Sequence, residues 1–157
     1  MAVRGIGVDL CSVSRVARLA HRYGERFLLR AFHERESAAY RALLARDGAS
    51  SCSSEGRTCS ASSAAAARFL ASRWAAKEAL HKALGDERLL FPEVEVTRRA
   101  GGAQAGDGGR NGGGASGPPA FAFHGAAAAR VAAAGVSMAL LSLSHDGDYA
   151  VAMVVLS

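Results

Sequence analysis

The sequence predicts an α+β fold, on three observations. A short strand pattern, GIGVDL, opens the chain; helical patterns fill most of its first half; and the end reads as a hairpin, MALLSLSH and YAVAMVVL around the turn DGD. Segregated helices and paired strands of this kind belong to the α+β class rather than to an alternating βαβ sheet.

The elements follow in order. GIGVDL (5–10) is apolar enough for a strand, and its glycines suit the close approach of a neighbouring backbone. A phosphate loop is not indicated, because neither GK[ST] nor GxGxxG follows. SVSRVARLAHRY is a helix capped by Ser12 or Ser14 and closed near Gly24. Two shorter helices, ERFLLRAF and ERESAAYRALLA, come next, and a long one spans 68–84 before Gly85. Its apolar face is expected to be Phe69, Ala76, Ala79, Leu80 and Ala83. FPEVEVTR (91–98) alternates as a strand, PAFAFHG begins another, and GAAAARVAAAG is a small-residue helix between Gly125 and Gly135.

Two low-complexity stretches interrupt this design. Nine of the eighteen glycines fall between Gly101 and Gly117, so 100–119 reads as a flexible loop that buries too little apolar surface to offset its ordering entropy. The Ser/Ala-rich stretch 46–66 reads the same way, with its alanine end joining the next helix. With both treated as insertions, residues 1–157 make one domain.

Composition narrows the function classes. Half the residues are hydrophobic and 21% are charged, as in an ordinary globular protein. No apolar run reaches the roughly 18 residues of a membrane span, and the N-terminus lacks the regions of a signal peptide. The expectation is a soluble, cytoplasmic protein, with an organelle location left open if an upstream targeting segment precedes this sequence. Cys11, Cys52 and Cys59 are odd in number and lack metal-type spacing, which argues against a zinc site or a disulfide framework. The net charge of +5 asks for an acidic partner. Nucleic acid is disfavoured, because aromatic residues are only 6% of the chain and the basic stretches carry no interleaved stacking residues.

Lys77 and Lys82 are the only lysines; every other residue in the Lys plus Arg count of 19 is arginine. An ammonium is a compact point charge, whereas guanidinium is a planar fork, so a crowded phosphate beside a metal favours lysine. Glu78 and Lys82 lie one turn apart, either as an exposed helix pair contributing a few tenths of a kcal/mol or as part of a site. Asp9, at the end of the first strand, is either a turn acid or a site residue. If Asp9 and Glu78 converge to about 4 Å they repel by roughly 4 kcal/mol at an effective dielectric near 20, and Mg²⁺ resolves that conflict. His145 ends the strand LLSLSH, and Ser142 and Ser144 are expected on its face as an anion-contacting edge. On the first helix Arg15, Arg18 and Arg22 form a basic stripe, with Arg26 near it in phase if the helix runs on. Val13, Val16, Ala20 and Tyr23 form the apolar seat.

GIGVDL with Arg15 after it, GERFLLRAFHERE, FLASRWAAKEALHKALG, FPEVEV and LSLSHDGDYAVAMVVL stand in an order that resembles the holo-acyl-carrier-protein synthases, the small bacterial-type 4'-phosphopantetheinyl transferases. The resemblance covers nearly all of the chain outside the two insertions. G-x-D near the N-terminus and W-x-x-K-E-x-x-x-K-A are specific in combination.

The resemblance implies helices packed on a small, mainly antiparallel sheet, and homotrimers with active sites between subunits. It implies transfer of phosphopantetheine from coenzyme A to a serine of apo acyl carrier protein, releasing 3',5'-ADP, in support of fatty acid synthesis. Asp9 and Glu78 would ligate Mg²⁺ with the coenzyme A diphosphate, and Glu78 would help deprotonate the serine. Lys82 would sit on the diphosphate; Arg73, Lys77 and His145 would line the coenzyme A site. Arg15, Arg18, Arg22 and Arg26 would dock the acidic helix of the carrier protein. Two positions depart from the pattern: GDERLL lacks the usual glycine-rich run, and Gly117-Pro118-Pro119 stands where Gly-Lys-Pro is common. The competing readings are a catalytically silent coenzyme A binding module and a basic nucleic-acid-binding domain.

Overall fold

The computed structural model describes residues 2–48, 61–85, 89–99 and 117–157. The chain runs β1 (Gly5–Ser12), α1 (Val13–Tyr23), α2 (Glu25–Ala31), α3 (Glu34–Gly48) and α4 (Ala61–Leu84). After a 3₁₀ turn (Phe91–Glu93) it continues β2 (Val94–Arg98), β3 (Pro119–Phe123), α5 (Gly125–Ala133), β4 (Ala139–Asp146) and β5 (Tyr149–Leu156). The α+β expectation holds, with two antiparallel sheets among the described residues in place of one: β1-β5-β4 and β2-β3.

The β4–β5 hairpin turns through two residues, with Asp146 opposite Tyr149. β5 pairs β1 along its whole length, from Gly5 opposite Leu156 to Ser12 opposite Tyr149. The period of two then sets Cys11, Ala150, Ala152, Val154 and Leu156 into the core and turns Ile6, Val8, Leu10 and Met153 outward. It also corrects the placing of His145. That residue shares parity with Leu141 and Leu143, while Ser142 and Ser144 lie on the opposite face of β4.

α4 is the spine. It lies across β1 and β5 and against α1 and α3, so Ala66, Ala67, Leu70, Ala71, Ala75, Ala76, Ala79 and Leu80 are buried. Contacts on several sides explain why the expected single apolar face was too narrow: Phe69 and Ala83 are only half-buried, whereas Leu70 and Ala75 are sealed. The glycines of β1 make the approach possible. A Cβ on Gly5 or Gly7 would collide with the carbonyl oxygen of Ala83 or Ala79, so strand and helix backbones touch here with no side chain between them. Replacing Leu70 or Leu80 by alanine would cost about 2–5 kcal/mol.

Helix boundaries follow local chemistry. Ser12 is the N-cap of α1, its Oγ accepting from Arg15 N at 3.2 Å. Gly24, at φ +50°, ends α1 and starts α2, so the helix does not run on and Arg26 belongs to α2. Val13, Val16 and Ala20 are buried as expected, but Tyr23 beside this break is exposed. The ends of the stretch 46–66 are helical, 46–48 closing α3 and 61–66 opening α4, and 49–60 lie outside the described residues. The second stretch, 100–119, ends in the start of β3 at Pro119; 100–116 also lie outside them, as do 86–88. FPE, expected to open a strand, forms the 3₁₀ turn because Pro92 cannot donate to a ladder.

Candidate active site

β1 and α4 bring the two carboxylates together. Asp9 comes from β1 and Glu78 from α4, and both line one open cleft of about 520 Å³ with Leu10, Ser12, Arg15, Trp74, Lys82 and Tyr149. The glycine contact between β1 and α4 sets this spacing, because it fixes Asp9 two residues beyond Gly7 against the turn that carries Glu78 and Lys82. Lys82 does not close on Glu78 as a helix pair. Its Nζ donates to Asp9 Oδ1 at 2.9 Å and to the Val8 carbonyl at 3.0 Å. Lys82 is half-exposed and Asp9 nearly covered, so this ion pair holds a cation at the cleft while leaving its ammonium open to a ligand.

Arg15 enters the cleft from α1, with Nη2 at 3.8 Å from the Cys11 sulfur. Burial raises the Cys11 thiol above its ordinary range, against the opposing pull of Arg15, and keeps it a neutral core group. The start of α1 is clamped by the hairpin turn: Asp148 accepts from Ser12 Oγ at 2.8 Å, Ser14 N at 2.8 Å and Ser14 Oγ at 2.9 Å. Those bonds, the Ser12 hydroxyl first, hold the Asp148 carboxyl below its usual range. Nothing in the sequence pointed to Asp148 as the clamp on the start of α1.

The arginines separate into two groups. Arg15, Arg18 and Arg22 share a shallow surface depression with Ala17, Leu19 and His21. Arg26 lines a neighbouring hollow with Leu19, Tyr23, Phe27, Arg30 and Trp74. Trp74 lines both this hollow and the carboxylate cleft, so the basic surface leads directly to Glu78. Neither Arg30 nor Trp74 was expected as a site residue, although Trp74, the only tryptophan, opens the W-x-x-K-E-x-x-x-K-A pattern.

The other three expected site residues do not line the cleft. Lys77, expected against coenzyme A, is fully buried: its Nζ donates to Glu36 Oε2 at 2.6 Å and to the Ala31 and Phe91 carbonyls, each at 3.0 Å. Those three bonds use every donor an ammonium has. Desolvation pushes its pKa down, and Glu36 opposes that. Glu36 in turn accepts from Val96 N and His33 N, both at 2.9 Å, so one buried pair ties α2, α3, α4 and β2. Arg73 is largely buried, its guanidinium 3.6 Å above the Phe69 ring and its Nε without a partner; desolvation lowers its pKa to about 10. His145 is exposed near the end of β4.

The residues present fit a hard divalent cation. Two carboxylates on rigid elements, beside an open polar cleft, are the oxygen donors that Mg²⁺ uses together with water and phosphate.

The family model described as the 4'-phosphopantetheinyl transferase superfamily matches residues 5–154. The chain belongs to this superfamily. Among its superfamily relatives, the holo-[acyl-carrier-protein] synthase of Halorhodospira halophila is 37% identical over 157 residues, covering 98% of this chain and 97% of that protein. The protein of the same name from Myxococcus xanthus is 40% identical over 158 residues, covering 99% and 96%. Solved structures agree on the fold. The holo-[acyl-carrier-protein] synthase of Neisseria meningitidis superposes with a TM-score of 0.70 at 24% identity, over 99% of both chains. The ACPS–CoA complex from Chronobacterium ammoniagenes gives 0.65 at 25% identity, over 99% of this chain and 97% of that one.

Proposed function

We propose that this transferase moves the 4'-phosphopantetheine group from coenzyme A to a serine of an apo acyl carrier protein, at the Asp9–Glu78–Lys82 cleft and with Mg²⁺. The observation that carries this reading is the convergence of Asp9 and Glu78 on one cleft with an open lysine, in a chain of this superfamily.

In this reaction the serine Oγ attacks the phosphorus nearest the pantetheine, and the bond from that phosphorus to the bridging oxygen breaks, releasing 3',5'-ADP. Glu78 accepts the serine proton, directly or through water. Lys82 holds its positive charge beside the diphosphate and offsets charge that grows on the leaving oxygen. Asp9 keeps Lys82 aimed into the cleft through the 2.9 Å pair. Mg²⁺, held by Asp9 and Glu78, would neutralise the diphosphate when bound. Arg18 and Arg22, with Arg15 at the cleft edge and Arg26 beyond, would receive an acidic helix of the carrier. Arg73 and His145 remain candidates for coenzyme A contacts in an assembled protein.

A homotrimer completes the reading. Ile6, Val8, Leu10, Leu140, Tyr149 and Met153 leave the outer face of the β1-β5-β4 sheet strongly apolar and exposed. Leu10 and Tyr149 also line the cleft, so a copy seated on this face would border Asp9 and Glu78. The first experiment is intact-mass spectrometry of apo acyl carrier protein incubated with this protein, coenzyme A and Mg²⁺, with an EDTA control. The expected result is a metal-dependent gain of one phosphopantetheine. No gain with several carriers, from a folded trimer that coenzyme A stabilises, would favour the silent binding module.

A further inference from the structure

We infer that His33, Glu95 and His124 form a second metal site, for a borderline divalent cation of the zinc class, built from residues other than those of the carboxylate cleft. One ligand atom from each of the three lies within 4.8 Å of the others. Glu95 Oε2 is the centre, 3.0 Å from His124 Nε2 and 3.7 Å from His33 Nδ1. None of the three lines the Asp9 cleft.

The sequence delivers these groups from three rigid places. His33 stands at the head of α3, its backbone N–H bonded to Glu36 Oε2 at 2.9 Å. Glu95 sits in β2 between the buried Val94 and Val96, and is itself buried. His124 is the residue before α5, its backbone N–H bonded to the Glu93 carbonyl at 2.8 Å. His33 Nδ1 accepts from Arg35 N at 3.3 Å. A metal ligand uses the same lone pair, so binding an ion requires this contact to give way.

Two imidazoles and one carboxylate are the donors of three-ligand zinc sites, and imidazole selects zinc, cobalt or nickel over Mg²⁺. His124 is the more exposed ring of the two and gives the site its entrance, with water as the fourth ligand. Arg35 Nη1 reaches Glu95 Oε2 at 3.4 Å from a mostly exposed side chain, so it can withdraw when a dication takes over the neutralising role. The two rings stack at 4.3 Å with 14° between their planes. With the rings nearly parallel, no single ion lies in both ring planes, so binding requires the rings to turn until both nitrogens face one point. A bound ion would cross-link the α2–α3 junction, β2 and the β3–α5 junction.

The test is titration of untagged protein with Co²⁺ in excess Mg²⁺, followed by visible absorption, then displacement by Zn²⁺ and thermal melting. One Co²⁺ per chain should bind in a tetrahedral environment. Zn²⁺ at about a hundred times its dissociation constant should raise the melting temperature by about 5–10 °C. His124→Ala and Glu95→Gln should each weaken binding at least about tenfold, while Glu78→Gln should leave it unchanged. Absence of Co²⁺ binding, its survival in His124→Ala, or its loss in Glu78→Gln would each overturn the site.

Discussion

Lys77 and Lys82 stand on the same helix, five residues apart, and do opposite things. Lys77 is sealed, its charge matched by Glu36 and its remaining protons spent on two carbonyls. Lys82 is half-exposed, paired with Asp9 and facing a polar cleft. A charge taken out of water has to find a complete set of partners, and a complete set leaves nothing for a substrate. A charge at the mouth of a cleft can change partners. The same residue type thus serves folding at one position and lines an open polar cleft at the other, where the proposed function gives it phosphate chemistry.

The sharpest way to break this comparison is to delete the buried cation. Lys77→Ala leaves Glu36 uncompensated among Ala31, Phe91 and Val96, and should destabilise the protein by about 3–5 kcal/mol. Chemical denaturation of Lys77→Ala beside Lys82→Ala measures the contrast. Lys82→Ala should shift the unfolding midpoint far less, because the Lys82 ammonium is half-exposed and water can take its place beside Asp9. Equal losses from the two variants would remove the distinction.

The next effect lies in activity. Glu78→Gln is nearly isosteric and sits at the cleft, so its melting temperature should stay close to that of the parent while transfer to carrier protein falls by at least about a hundredfold. Full transfer by a well-folded Glu78→Gln protein would remove Glu78 from the chemistry.

Much of the fold was legible because the signals were local. The hairpin at DGD, a cap at Ser12 or Ser14 and the Gly24 stop each depend on a few neighbouring residues; the structure places Asp146 in β4, so the turn is Gly147–Asp148, and makes Ser12 the cap. Gly5 and Gly7 pointed to the close approach of a neighbouring backbone, and the structure identifies it as α4. What depends on distant partners was not. The burial of Lys77 is decided by Glu36, forty-one positions away along the chain, and both residues look like surface charges in a helical pattern. His33, Glu95 and His124 lie far apart in sequence, with no motif spacing to join them. Asp9 and Glu78 were paired by resemblance and by the logic of carboxylate repulsion, and the cleft that both line needs the packing of a strand on a helix.

The smallest expected effect concerns the basic surface, where the comparison turns from two lysines to two arginine groups. Arg15 belongs to both the cleft and the depression on α1, so reversing it would disturb catalysis and docking together. Arg18 and Arg22 line only the depression among the hollows described, which makes Arg18→Glu with Arg22→Glu the cleaner test. Charges at the rim of a complex act mainly on encounter and on salt dependence. The double variant should therefore raise KM for carrier protein by about tenfold at low salt, with KM for coenzyme A nearly unchanged, and the difference should shrink as ionic strength rises. Steady-state kinetics with each substrate varied in turn, at two salt concentrations, makes the measurement. Equal changes in both KM values would mean that these arginines shape the coenzyme A site and that the carrier is received elsewhere. A selective change would extend the division seen on α4 to α1, where Arg15 serves the reacting centre and Arg18 and Arg22 serve the partner.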